Sequence, residues 1–209
     1  MPSQFEISLN GFVNFLRTRG AARVDVVTRQ LTQYTEPYSP ARDFYRRIIN
    51  AMVSGRRAND DAAICKAVLD AAPQYKKAHY ESVVDGWLTV LPDFTGTRCL
   101  PVHTGRWHNE SVTVRVTPHM LLAFPDGHKE ALWLYVKADP LPGTDAEAML
   151  WLAREAMPEI YAGATPVVVD VRREKVWRAT PDGGEYGAWL EAEANGYKFL
   201  AERWEGAQI

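Results

Sequence analysis

The 209-residue chain has little cysteine: Cys65 and Cys99 stand in no CxxC or Cys/His spacing. That argues against a disulfide framework and a cysteine-bound zinc, and it makes a reducing cytoplasm the expected location. Each thiol is expected to behave as a small buried hydrophobe. No run of about 18 apolar residues is present to span a bilayer, so a membrane is not expected as a partner. The first twenty residues carry Glu6, Arg17 and Arg19 in place of a continuous apolar stretch, which argues against a signal peptide. GxSxG, GxGxxG and GxxxxGK are all missing, removing the nucleophile elbow and the nucleotide phosphate loop. The five histidines are expected as solvated loop residues, and no metal ligand set is assigned to them.

What is present is enough for a sizeable core: 46% of residues are hydrophobic and 11% aromatic. Net charge is only -2, but it is unevenly spread, with nine Lys/Arg against four acids in residues 1–57. That part is therefore basic (+5) on an acidic remainder (-7), a balance that suits a polyanionic partner. Arg42, Arg46, Arg47, Arg56 and Arg57 flank one expected helix and are the candidate nucleic-acid contacts.

Helical patterning fills the first 92 residues. Ser8 is the expected N-cap of a helix carrying Leu9, Phe12, Val13 and Leu16 at helical spacing, with Gly20 as its stop. Ser39-Pro40 is expected to start the arginine-bearing helix, with Phe44, Ile48 and Met52 on its apolar stripe. From Thr95 the texture turns to β-formers, so a helical lobe over 1–94 and an α/β core over 95–209 are expected. The residues from Val112 to Lys137 read as a three-stranded antiparallel meander. Its last strand, with Leu132, Leu134 and Val136 on one face and Trp133 and Tyr135 on the other, is apolar on both sides and should be central. Thr144 and Glu147 form an expected capping box on a helix ending at Pro158. Strands near 165–171 and 176–179 and a closing helix follow. The fold class is thus α+β, a helical lobe before a mixed β-β-β-α-β-β-α sheet. Asp170 is expected to be partly exposed, on the face opposite Val167, Val169 and Val171. Trp107 and Trp204 fall outside the core elements and suit base stacking or a protein interface.

Three meandering strands, a helix and a further strand resemble the core of the PD-(D/E)XK nuclease superfamily, especially its RecB-like branch, over about residues 98–179. The resemblance implies a lysine on the third strand, matched by Lys137, and a Mg²⁺ held by an acid two residues earlier and an aspartate on the second strand. Here Tyr135 stands two before Lys137, and His119 stands at the aspartate position. A phenol cannot replace a carboxylate for Mg²⁺, and histidine prefers softer metals. The acid would have to come from the following helix, as Asp145 or Glu147. Residues 7–15 and 38–45 also resemble segments of an uncharacterised group of bacterial proteins.

The expected function is a non-catalytic binding or scaffolding protein on a degenerate nuclease-like fold, with nucleic acid as the partner and no cofactor. The alternatives are an active Mg²⁺-dependent nuclease using Lys137, Glu147 and His119, and a protein-interaction subunit of a larger complex. A monomer is expected over a homodimer.

Overall fold

The centre of the molecule is β6 (Lys129–Tyr135), the middle strand of a five-stranded sheet ordered β2-β5-β6-β7-β8. It pairs with β5 (Met120–Ala123) and β7 (Thr165–Asp170), and β2 (Arg98–Leu100) and β8 (Lys175–Arg178) are the two edges. The computed structural model describes residues 5–35, 44–180 and 186–206. Ser39-Pro40, Arg42 and the loop at 181–184 lie outside them.

Alternation along β6 divides the interior in two. Leu132, Leu134 and Val136 join one core with Ile48, Met52, Val83 and Trp87, from α3 (Arg46–Ala58) and α5 (Gln74–Val90). Between those helices lies α4 (Asp61–Asp70), which adds Cys65 to the same core. Ala131, Trp133 and Tyr135 face a second core built by α1 (Leu9–Arg17), α2 (Ala22–Thr35), α6 (Gly143–Tyr161) and α7 (Gly187–Gly206). The N-terminal helices are thus divided between the two cores. Because β6 and β7 run parallel, α6 crosses between them. Within this sheet the chain runs β2, β5, β6, α6, β7, in the strand and helix order of the nuclease resemblance, but β3 (Gly105–His108) and β4 (Val112–Val116) intervene between β2 and β5.

The meander itself is composed differently from the expectation. Val112–Val116 forms β4, which pairs with β1 (Phe5–Ser8) and β3 (Gly105–His108) in a separate sheet, not with β5. The first strand of the meander is β2, paired with β5 at Cys99 and Leu122. Across Thr117, Pro118 and His119 the chain changes sheets: Val114 and Val116 enter one core, Met120 and Leu122 the other. Phe5–Ser8 is also the exception to a wholly helical N-terminal part.

Ser8 caps α1 as expected, its Oγ accepting from the Gly11 N–H at 3.1 Å. The helix stops at a Thr18 C-cap, two residues before Gly20. No capping box forms on α6, because the helix begins at Gly143 behind Pro142 and Thr144 already lies inside it. Nor does Pro158 end that helix, which runs to Tyr161 while burying Met157 and Ile160. Trp107 is buried, its ring 6.1 Å from both Phe12 and Trp151, and Trp204 packs against the same core. Neither is a free stacking platform.

Candidate anion-binding cleft

Antiparallel pairing sets His119, just before β5, against Leu132 and Leu134 of β6, while Lys137 follows the end of that strand. His119 and Lys137 line a cleft of about 560 Å³, with Asn10 from α1, Tyr45, and Arg46 and Asn50 from the first turns of α3. Helix N-termini carry partial positive charge, so α1 and α3 add to the cationic character of this wall. Among the described residues, none of those lining the cleft is a carboxylate, and Arg46 and Lys137 are the cationic side chains there.

The His119 ring has a defined role. Its Nδ1 accepts from the Leu134 N–H at 2.9 Å, which leaves the proton on Nε2. Burial pushes its pKa down to about 4, so at neutral pH it is an uncharged hydrogen-bond donor. Lys137 is exposed, yet its ammonium is crowded by protein. That partial desolvation, followed by the nearby Arg17 charge, lowers its pKa, with Asp139 opposing the change.

The loop that carries Lys137 is held from three directions. Arg173 Nη1 donates to the Lys137 carbonyl at 3.0 Å, and its Nη2 donates to that of Ala138. Arg172 Nε donates to the Val136 carbonyl at 2.9 Å, and its Nη2 reaches the Tyr45 hydroxyl at 3.1 Å, tying the cleft floor to its aromatic wall. Both arginines sit on the 3-10 turn Val171–Arg173 after β7, which the parallel pairing sets beside the end of β6. Asp170 completes the clamp: it is 1% exposed, and its Oδ2 accepts from the Leu141 N–H at 3.0 Å. The expectation of a partly exposed Asp170 is therefore corrected, because the 136–141 loop closes over the end of β7.

Tyr135, at the position where the nuclease resemblance implies an acid, accepts from Arg17 Nη1 at 2.8 Å. Arg17 Nε in turn pairs with Asp145 at 3.1 Å. Burial raises the Asp145 pKa more than this guanidinium lowers it. Glu147 lies elsewhere, on a cleft with Trp151 and Trp177, where its carboxylate accepts from the Tyr186 hydroxyl. Lys137 and His119 thus share a cleft and Glu147 does not. Among the described residues, no three His, Cys, Asp or Glu side chains are arranged to hold a metal ion.

Of the candidate arginines, Arg46 and Arg47 are exposed at the start of α3 and Arg57 at its end. Arg56 is only 7% exposed and pairs with buried Asp61 at 3.4 Å. Sequence reasoning missed Arg17, Arg172 and Arg173, whose hydrogen bonds named above reach 35 to 127 residues along the chain and leave no local pattern.

No family model matches the sequence, and no curated protein matches it. Among solved structures, a "Putative exonuclease" from Eubacterium rectale superposes with a TM-score of 0.48 at 8% identity, over 95% of this chain and 82% of that one. The structure of SSO0001 gives 0.32 at 8% identity, over 84% and 85%. Likenesses at this level carry no argument about activity. Among the described residues, no helix is long and apolar enough to cross a membrane.

Proposed function

We propose that this protein binds nucleic acid without cutting it, holding backbone phosphates in the Lys137 cleft of a nuclease-like core. The observation that carries the reading is the composition of the cleft: Arg46, Lys137 and His119, whose Nε2 keeps its proton, line it, and among the described residues no carboxylate does. Such a surface offers an anion charge and donors, whereas a divalent ion needs hard oxygen ligands. Tyr135 supports the same reading, since its hydroxyl is engaged by Arg17. The clamp of Arg172, Arg173 and Asp170 holds the loop in place before a ligand arrives, which reduces the ordering cost of binding. No cofactor is required.

Fluorescence anisotropy with labelled single-stranded DNA and RNA tests the reading. Binding should weaken steeply with salt, and Lys137→Ala should flatten the log–log slope by about 0.7, the release of one counterion equivalent from a single strand. Absence of binding at low salt, or indifference to Lys137→Ala, refutes it.

A further inference from the structure

A second cleft, with no carboxylate among its described lining residues, opens at the other end of α3. It encloses about 850 Å³ between the C-terminus of that helix and β2, and its lining includes Arg56, Arg57, Asn59, Thr97, Arg98 and Cys99. Arg57 and Arg98 are exposed, and among the described residues neither forms an ion pair. Behind them, Arg56 is held by buried Asp61 at 3.4 Å, by Asn59 at 2.8 Å and by the Phe94 carbonyl at 3.3 Å, so its charge is already matched, while its buried Nε has no hydrogen-bond partner. On the other side, β2 is an edge strand of the sheet, so its outer backbone groups have no strand to pair with. Arg57 in the last turn does offset the helix dipole, but that role does not explain Arg98, nor why, among the described residues, neither arginine has an acid beside it.

The two clefts are connected by α3. Arg46 and Arg57 are eleven residues apart, which at about 100° per residue brings them within about 20° of one face, and roughly 16 Å apart along the axis. Asn50 and Ser54 lie exposed between them, and α3 contains no acidic residue. That length is spanned by roughly five phosphates of a helically stacked strand at about 3.4 Å each.

We propose that the Arg57–Arg98 cleft is a second phosphate subsite, and that a nucleic-acid strand held at Lys137 continues along the exposed face of α3 into it. The inference rests on the nucleic-acid reading of the Lys137 cleft and adds the path and the second anchor. The test compares labelled oligothymidylates of about 4 and about 16 nucleotides, the ends of an ordinary site-size range, on wild type, Lys137→Ala and the double variant Arg57→Ala/Arg98→Ala. Circular dichroism confirms that each variant is folded. The double variant should bind the longer strand about tenfold more weakly and lose about 1.4 from its salt slope, two contacts at about 0.7 each. It should bind the shorter strand like wild type. Iodoacetamide labelling of Cys99 should be slowed by the longer strand and not by the shorter. If the double variant binds the longer strand with wild-type affinity and slope while Lys137→Ala weakens both lengths, the subsite is wrong and the Lys137 reading stands. If wild type binds neither strand, both fall.

Discussion

Arg17 Nη1 donates to the Tyr135 hydroxyl across 2.8 Å, joining α1 to the central strand where the nuclease resemblance implies an acid. The same guanidinium is the partner of Asp145, whose side chain is only 12% exposed.

Arg17→Ala should therefore leave that carboxylate buried without its counter-charge, with the Thr144 side chain still bonded to it. A loss of about 2 kcal/mol is expected near neutral pH, below the usual cost of breaking a fully buried pair because Arg17 itself is partly solvated. The Asp145 pKa, already raised by burial, should rise further. Since the pair exists only while Asp145 is ionised, the gap between wild type and variant should narrow as pH falls through that folded-state pKa. Tyr135→Phe, which keeps the ion pair, should cost about 1 kcal/mol. Urea denaturation across pH measures all three.

His119 sets a second pH dependence. Its folded pKa of about 4 lies below the ordinary value of 6.5, so below pH 6.5 the unfolded chain takes up a proton that the folded one refuses. Its contribution is intact above 6.5 and is lost progressively as pH falls toward 4, reaching about 3 kcal/mol. His119→Asn, which keeps an acceptor for the Leu134 N–H, should show a smaller loss over that window. Because the ring stays neutral, it should add no acid-side gain in nucleic-acid affinity between pH 7 and 5. Urea melts at several pH values, with an NMR titration of the ring, check this.

Gly86 controls how closely α5 approaches the turn bearing Arg172 and Arg173. A Cβ there would lie 1.9 Å from the Val171 carbonyl oxygen, a backbone atom that cannot swing aside. Gly86→Ala should cost about 3 kcal/mol and, by displacing the turn, loosen the Lys137 loop. Thermal melts and amide exchange at residues 136–141 read the two effects separately.

The centre of the fold was legible because β6 advertises itself: Ala131–Tyr135, apolar on both faces, has no other place in a sheet. By contrast, β4 has an equally clean alternation, but a period of two specifies which face is buried and not which strand lies alongside. Its partner β1 is a four-residue strand more than a hundred positions away. Asp170 was misread for a related reason. Alternation described its side of the strand correctly but carried no information about the loop that covers it. Lys137 and His119 were singled out by the nuclease resemblance, and they line one cleft because one follows β6 and the other precedes its partner β5. The arginines that hold the site bond backbone carbonyls and a phenol contributed by distant elements, and backbone carbonyls have no sequence signature.

The central claim, binding without cleavage, is tested most directly by incubating purified protein with labelled single- and double-stranded DNA and RNA. Mg²⁺ or Mn²⁺ is included, and strand integrity is read on a denaturing gel while anisotropy reports the bound fraction. The account predicts strands that are bound and intact, with Lys137→Ala folded but binding more weakly. Divalent-dependent cleavage that disappears in Lys137→Ala would contradict it and make the cleft the active site of a nuclease.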